Sequence, residues 1–207
     1  GTGTGWLYGD DVWWGGAFNS SGLTSIIIPA SVKTIGRRTF RKSSLNTITF
    51  KPDSQLNTLN YGAFESCTAL TSITIPKSVV LASQYLFNGC DALQTVEFEE
   101  GTGLTAINVG MFQDCKKLTT ITIPTSVNNI GKAAFSGCTV LTSITIPANV
   151  NNIGETAFQS TGLTSITIPS GVTSIGNYAF NLAGSLQTVT FEGTSEINTI
   201  GQGVFKN

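Results

Sequence analysis

The segment from Leu163 to Phe180 reads LTSITIPSGVTSIGNYAF and states a unit that recurs along almost the whole chain. Its first residue returns at Leu23, Leu45, Leu70, Leu93, Leu118, Leu141, Leu163 and Leu186. Its last residue, the anchor phenylalanine, returns at Phe18, Phe40, Phe64, Phe87, Phe112, Phe135, Phe158, Phe180 and Phe205. Both series advance in steps of 22 to 25 residues. So strict a period predicts a solenoid, in which each repeat stacks on its neighbours.

Each repeat combines two short strand patterns with a signal that ends the first. Ile166 and Ile168 are two residues apart, so they share one face of a strand, and the residue between them faces solvent. Pro169 then ends the strand, because proline has no N–H to donate to a sheet. A second apolar step runs from Val172 to Ile175 and predicts a second, shorter strand.

A glycine follows the second step in most coils, where the pattern predicts a positive φ, a conformation that glycine adopts readily. These glycines are Gly36, Gly131, Gly154, Gly176 and Gly201. Asn60 and Asn108 replace the glycine in two coils, and asparagine is the next most tolerant residue. Ser83 and the undersized Ala82 depart from the pattern, which predicts a locally irregular coil.

Three coils carry longer turns. Phe50, Phe98 and Phe191 replace the second isoleucine, and two extra residues separate each of them from the next anchor phenylalanine. Because the strand patterns themselves keep their length, we expect the insertions to lie in the turn after the strand.

These features predict an α/β, β-rich leucine-rich-repeat solenoid, whose period is typically about 20 to 29 residues. We expect a right-handed superhelix of about nine coils with a parallel sheet on the concave face. A second row of short strands and single helical turns around the Ala-Phe segments would complete each coil. Residues 1–17 would form an N-terminal capping segment and a degenerate first coil, with Trp14 packed as a cap, and residues 18–207 one continuous solenoid domain.

The iterated pattern Leu-x-x-Ile-x-Ile-Pro, then Val-x-x-Ile-Gly-x-x-Ala-Phe-x-x-Cys, resembles the BspA-like, or Treponema-type, leucine-rich-repeat family. The best matches are residues 118–138 and 141–180, and the resemblance covers about residues 12–207. It implies a bacterial protein that is secreted or displayed on the cell surface. It also implies adhesion to host matrix proteins such as fibronectin and fibrinogen, or coaggregation between cells.

Composition argues against several other classes of protein. Charged residues make up 11% of the chain and the net charge is −1, so no general field attracts nucleic acid or an anionic membrane. No apolar run approaches the roughly 18 to 20 residues of a membrane-spanning helix, and no signal peptide is visible at Gly1. Histidine is absent, and the glycines follow the repeat rather than a phosphate loop. We therefore expect no enzyme and no cofactor.

The four cysteines each follow an anchor phenylalanine by three residues. They are Cys67, Cys90, Cys115 and Cys138. Their wide spacing and the absence of histidine disfavour a zinc site. Stacked coils would hold equivalent Cβ atoms near 5 Å apart, beyond the roughly 3.5 to 4.5 Å of a disulfide. The pattern predicts a column of small buried thiols whose S–H groups donate to turn carbonyls.

The outward positions of the first strand supply the candidate binding surface. It comprises Thr49, Thr74, Thr120, Thr122, Ser143, Thr145, Ser165 and Thr167. Such a hydroxyl-rich sheet is suited to hydrogen-bonding an extracellular protein or a glycan. Ice binding is disfavoured, because leucine-rich repeats curve and because Glu97 and Ile27 interrupt the columns.

Two smaller features are weighed as secondary binding patches. Arg37, Arg38, Arg41 and Lys42 could grip an acidic partner such as a sulfated glycan, although such a run is more often a solvated turn. Trp13 could stack on a sugar. The chain ends at Asn207, two residues past an anchor phenylalanine, which predicts weak end-to-end self-association.

The leading hypothesis is a non-catalytic binding module that adheres to host matrix or neighbouring-cell proteins through the concave face. One alternative is binding of carbohydrate, either mucin or polysaccharide. The other is an architectural spacer within a longer surface protein.

Overall fold

In the computed structural model, which describes residues 6–7, 16–194 and 196–206, the chain winds into a β-solenoid with parallel sheets. Nine anchor phenylalanines delimit about eight turns, one fewer than the number of coils that the sequence predicts, because each turn runs from one anchor to the next. The strands of the described residues are β1 (Trp6–Leu7), β2 (Ser25–Ile28), β3 (Thr34–Ile35), β4 (Thr47–Phe50), β5 (Thr58–Leu59), β6 (Ser72–Ile75), β7 (Leu81–Ala82), β8 (Thr95–Phe98), β9 (Ala106–Ile107), β10 (Thr120–Ile121), β11 (Asn129–Ile130), β12 (Asn152–Ile153), β13 (Ser165–Ile168), β14 (Ser174–Ile175), β15 (Thr188–Phe191) and β16 (Thr199–Ile200).

The strands form two rows, as the two apolar steps of each repeat predict. The first row contains the ladders β2–β4, β6–β8–β10 and β13–β15. The second row contains β1–β3–β5–β7 and β9–β11–β12–β14–β16. All pairs are parallel and join equivalent positions of successive coils, as in Ile166 opposite Val189. The predicted leucine-rich-repeat solenoid is therefore confirmed.

Burial along the first row alternates with a period of two. In β6, Ile73 and Ile75 are buried, whereas Ser72 and Thr74 are exposed. The same alternation in the neighbouring coils stacks the inward residues into one continuous core. This alternation fixes which side chains the first row presents to solvent.

The anchor phenylalanines form an unbroken stack through the solenoid. From Phe18 to Phe205, consecutive ring centroids are 5.2 to 5.6 Å apart and their planes deviate by 5 to 15°. Each ring between Phe40 and Phe180 is almost completely buried. The stack adds aromatic contact to the burial of each ring, so every coil depends on both neighbours.

The segment around each anchor is a pair of tight turns, and the predicted helical turns are wrong. The amides of Ala133, Phe135 and Gly137 donate to carbonyls of the next coil at 2.8–2.9 Å. Between them, the amide of Ser136 donates to the carbonyl of Ala133 in its own turn at 3.2 Å. In an α-helix every amide would point back four residues. Here alternate amides point along the solenoid axis and donate to the next coil. These hydrogen bonds between coils replace the hydrogen bonds that a helical turn would need.

The predicted positive φ at the glycine after the second strand is also wrong. Neither Gly36, Gly131, Gly154, Gly176 nor Gly201 has a positive φ, and Asn60 and Asn108 do not either. Close packing explains the glycine instead: a Cβ on Gly176 would lie 2.4 Å from the amide nitrogen of Glu155. Most left-handed residues lie two positions before or two positions after an anchor, as at Ala133 and Gly137, and Asp53, Gly101 and Gly193 lie in the three longer turns.

The irregular coil lies where the sequence predicts it. The second row separates into two sheets between β7 and β9, next to Ala82 and Ser83. In a regular coil the amide of Gly131 donates to the carbonyl of Ile107 at 2.7 Å. At the break the side-chain amide of Asn108 takes over this role and donates to the carbonyl of Ala82 at 2.7 Å.

Apart from β1, residues 1–15 lie outside the described residues, and so do the predictions for Trp13 and Trp14. The division into a capping segment (1–17) and a solenoid (18–207) therefore stays a prediction.

We predict that Phe135→Ala lowers the free energy of unfolding by about 3 to 5 kcal/mol, because it opens a cavity in the middle of the stack. Phe191→Ala is the control and should cost less, because its side chain is already 41% exposed. Urea denaturation followed by circular dichroism measures both. Equal stability of Phe135→Ala and wild type would refute the stacked-core account.

We predict that Gly110→Ala destabilises more than Gly101→Ala. Both glycines have positive φ, so each alanine should cost about 1 to 2 kcal/mol in backbone strain. A Cβ at Gly110 would also meet the Tyr85 ring at 2.5 Å, whereas Gly101 has nothing within 4 Å. In a Tyr85→Ala background the excess cost should disappear. An excess that persists in the double mutant, measured by urea denaturation, would contradict this packing.

Candidate binding surface

Sixteen outward residues of the first row form one surface, here called the first-strand face. Its two columns are Ser25, Thr47, Ser72, Thr95, Thr120, Ser143, Ser165 and Thr188, and beside them Ile27, Thr49, Thr74, Glu97, Thr122, Thr145, Thr167 and Thr190. All sixteen are exposed. The eight residues that the sequence singles out, Thr49, Thr74, Thr120, Thr122, Ser143, Thr145, Ser165 and Thr167, all belong to this face.

The face carries hydroxyl groups at every position except Ile27 and Glu97. Glu97 is therefore its single charged residue, and its Oε2 accepts a hydrogen bond from Thr74 Oγ1 at 3.3 Å. Equivalent residues pair in register from coil to coil, as in Ser165 opposite Thr188. The hydroxyls consequently form regular columns that can donate and accept hydrogen bonds but provide almost no charge.

Among the described residues the first row is interrupted between β4 and β6 and again at residues 143–146, where the strand itself is missing. The coils on either side contain β10 and β13, but residues 141–147 form no strand. Within the described chain, the main-chain groups of residues 143–146 make no hydrogen bond to either neighbouring coil. The peptide groups of this segment are thus available to a ligand or to water, unlike those of the paired strands.

A groove of about 260 Å³ lies beside this interruption. Its lining residues are Ser143, Ile144, Thr145, Ile146, Ser165, Ile166, Thr167, Pro169 and Glu192. Ile146, Ile166 and Pro169 are buried and provide an apolar floor, whereas the four hydroxyl residues are exposed. Sequence reasoning finds these four hydroxyls but misses the groove and Glu192. The longer turn after Phe191, which carries Glu192, was the available signal.

A second concavity follows from the pattern of insertions. The coil containing Pro76 has a short turn and lies between two coils whose turns are longer. The resulting groove of about 410 Å³ is lined by Phe50, Lys51, Pro52, Asp53, Ser54, Pro76, Lys77 and Glu99. Glu99 Oε2 accepts a hydrogen bond from the amide of Lys77 at 2.9 Å, which ties one wall to the floor. Seven residues separate β4 from β5 but five separate β6 from β7, so the insertions lie in the turn after the strand, as predicted, and shape the edge of the first row.

The predicted basic patch lies in one turn and comprises Arg37, Arg38, Arg41 and Lys42. Arg41 Nε lies 3.0 Å and Arg38 Nε 3.5 Å from Glu65 Oε2. These contacts are ion pairs without aligned hydrogen bonds. The guanidinium of Arg37 lies 4.6 Å from the centre of the Tyr61 ring, a cation–π contact. Because Glu65 partly neutralises the cluster, it forms a weaker anion site than its sequence suggests.

The cysteines form the predicted column of buried, free thiols. Each sulfur donates to the carbonyl of an anchor phenylalanine, as from Cys67 to Phe40 at 3.0 Å and from Cys138 to Phe112 at 3.2 Å. Burial raises the pKa of Cys67 to about 11 and raises the pKa of Cys90, Cys115 and Cys138 as well. The thiols are therefore protonated donors at neutral pH. The described residues contain no cluster of three or more potential metal-ligating His, Cys, Asp or Glu side chains.

A parallel solenoid whose repeat is 22 to 25 residues long and begins with the leucine pattern described above is typical of a leucine-rich-repeat protein, a class of binding and scaffold modules. The chain belongs to the family of BspA-type leucine-rich-repeat regions, whose sequence profile matches residues 15–138 and 105–207 in six copies. No protein of curated function matches the chain.

Three crystal structures illustrate the similarity. A leucine-rich cell surface protein from Faecalibacterium prausnitzii is 31% identical, with a TM-score of 0.56, over 83% of this chain and 39% of that one. The leucine-rich-repeat protein of T. pallidum is 28% identical, with a TM-score of 0.68, over 87% and 80%. The pneumococcal vaccine antigen PcpA is 22% identical, with a TM-score of 0.54, over 90% and 56%, and shows the fold alone.

The chain thus spans well under two thirds of the F. prausnitzii protein and of PcpA. The family and the cell surface protein among its neighbours suggest a surface or secreted protein. The part of the chain that the structure describes holds no helix that could span a membrane.

We predict that stability falls as the pH rises above about 9, where thiols of the unfolded chain ionise. The folded pKa of Cys67 is about 11, so the native state keeps protons that the unfolded state has lost, and unfolding becomes easier. Cys67→Ser keeps a hydrogen-bond donor without this titration, so its loss of stability should be shallower. Urea denaturation between pH 7.5 and 10.5 compares the two. Parallel pH profiles would contradict this account.

Proposed function

We propose that this chain is the non-catalytic binding module of a secreted or cell-surface bacterial protein. Its partner is a protein of a host matrix or of a neighbouring cell, and it contacts that partner through the first-strand face. The observation that carries the proposal is the face itself: sixteen exposed positions in two columns, of which fourteen bear hydroxyls and one bears a charge.

The rigidity of the face supports this proposal. Most of its side chains project from strands whose inward residues, such as Ile73 and Ile166, are buried in the core. A ligand therefore meets hydroxyls that are already ordered, which reduces the entropy lost on binding. The exposed turns offer no comparable regularity, because their charged residues vary from coil to coil.

The chemistry of the face favours binding over catalysis. The chain has no histidine, and the face has a single carboxylate, Glu97, so it lacks a paired acid and base. The four thiols are buried and held protonated, which removes them as nucleophiles.

The localisation rests on similarity. The family consists of BspA-type repeat regions, and the F. prausnitzii neighbour is a leucine-rich cell surface protein. These relations support display outside the cell, where an adhesive face has access to host or neighbouring-cell proteins.

We predict that this protein binds saturably to at least one of immobilised fibronectin, fibrinogen or collagen. Thr49→Arg and Thr122→Arg should each weaken that binding by about tenfold or more, because each places a bulky charge on the contact surface. Thr105→Arg, at an exposed second-row position, is the control and should bind normally. Surface plasmon resonance at physiological salt measures the binding of the wild type and of the three variants.

Two outcomes would contradict the proposal. Equal weakening by Thr105→Arg would remove the first-strand face as the site. No binding to fibronectin, fibrinogen or collagen would favour an architectural spacer within a longer protein.

A further inference from the structure

We infer that the groove between residues 143–146 and β13 is a subsite for one neutral sugar ring of a glycan. The inference deepens the proposed function, because the groove opens on the first-strand face. It rests on that proposal only because both use the same face. Four observations carry it: unpaired main-chain groups, unpartnered hydroxyls, an apolar floor and little charge.

The main chain supplies the first set of ligand contacts. Among the described first-row segments, residues 143–146 form no strand and share no hydrogen bond with the coils beside them. Peptide groups that a sheet would otherwise pair are therefore left without a hydrogen-bond partner beside the groove. Sugar hydroxyls can satisfy both N–H and C=O groups, because each hydroxyl donates and accepts.

The side chains supply the second set. Ser143 and Thr145 line one wall, and Ser165 and Thr167 line the other. All four are exposed, and their hydroxyls have no hydrogen-bond partner within the described protein. Most hydroxyls elsewhere on the face likewise have no partner among the described residues; the exceptions are Thr47, which donates to Asn46 Oδ1, and Thr74, which donates to Glu97 Oε2. The groove is distinguished because it combines these unsatisfied hydroxyls with the unpaired main-chain groups of residues 143–146.

The floor and the size fit a ring rather than a chain. Ile146 and Ile166 are buried beneath the hydroxyls. A ligand that fits the groove would therefore have an apolar face toward these isoleucines and polar groups at its edge. A sugar ring has this arrangement, with C–H groups on its face and hydroxyls at its edge. The volume of about 260 Å³ lies below the roughly 300 Å³ at which pockets for drug-sized ligands begin.

The charge of the groove selects among sugars. Glu192 is the single charged lining residue, and its carboxylate can accept hydrogen bonds from ligand hydroxyls. The same carboxylate repels uronic acids and sulfated sugars. A neutral hexose or N-acetylhexosamine is thus the favoured class, carried by a glycoprotein or a polysaccharide.

The experiment is a titration of the 15N-labelled protein with the methyl glycosides of glucose, galactose, mannose and N-acetylglucosamine, followed by amide chemical shifts. At least one glycoside should cause saturable shifts confined to residues 143–146, 165–168 and Glu192, with a dissociation constant on the order of millimolar. Methyl glucuronide should bind more weakly than the neutral glycosides. The Glu192→Gln variant should reduce this difference in affinity, because it removes the repelling carboxylate.

Sequence identity provides a matched control. Residues 70–76 and 163–169 both read LTSITIP. Residues of the 163–169 segment line the groove, whereas those of the 70–76 segment do not. The double variant Ser165→Ala and Thr167→Ala should lower the affinity for the glycoside by about fivefold or more. Ser72→Ala combined with Thr74→Ala should leave the affinity unchanged.

Three results would overturn the inference: no shift with any neutral glycoside, shifts spread evenly over the face, or equal loss in the control pair. The experiments distinguish failure of this inference from failure of the proposed function. If Thr49→Arg and Thr122→Arg leave protein binding intact while the sugar titrates in the groove, the inference stands and the protein site lies elsewhere. If protein binding follows the face but no sugar binds, only the subsite is lost.

Discussion

The hydrogen bonds between successive coils around the phenylalanine stack are the constraint on which the rest of the structure depends. Alternate amides, such as those of Ala133 and Phe135, leave their own turn and bind carbonyls of the next coil. They hold neighbouring anchor rings 5.2 to 5.6 Å apart along the stack. Every coil is therefore held in the same phase as its neighbours, and equivalent side chains must fall into columns.

The columns explain the chemistry of the surface as well as that of the core. An inward column becomes a continuous apolar core, and a thiol column becomes a row of protonated donors to turn carbonyls. The outward columns of the first row become a nearly uncharged hydroxyl face. Local interest arises where the period fails: the longer turn that carries Glu192 and the unpaired segment 143–146 give that uniform face a groove.

Much of this follows from the sequence by simple physical rules. Apolar residues two apart predict the strands, and the period predicts the stacking, so the eight hydroxyls at Thr49 through Thr167 are placed correctly on one face. The wide spacing of the cysteines and the separation of Cβ atoms in stacked coils likewise predict free thiols. The turns are harder, because a glycine such as Gly176 can serve either a positive φ or close packing. The sequence pattern does not distinguish the two, whereas the contact with Glu155 does.

The heptapeptide LTSITIP separates what each level decides. It occurs at residues 70–76, 141–147 and 163–169, and in each copy the chain alone determines the inward isoleucines, the outward hydroxyls and the terminal proline. The first and third copies contain β6 and β13, but the second contains no strand. A strand exists only through hydrogen bonds to a partner, and the partner lies about one coil away in sequence. The repeat therefore determined the faces of the solenoid, and the tertiary structure decided where the sheet is left open.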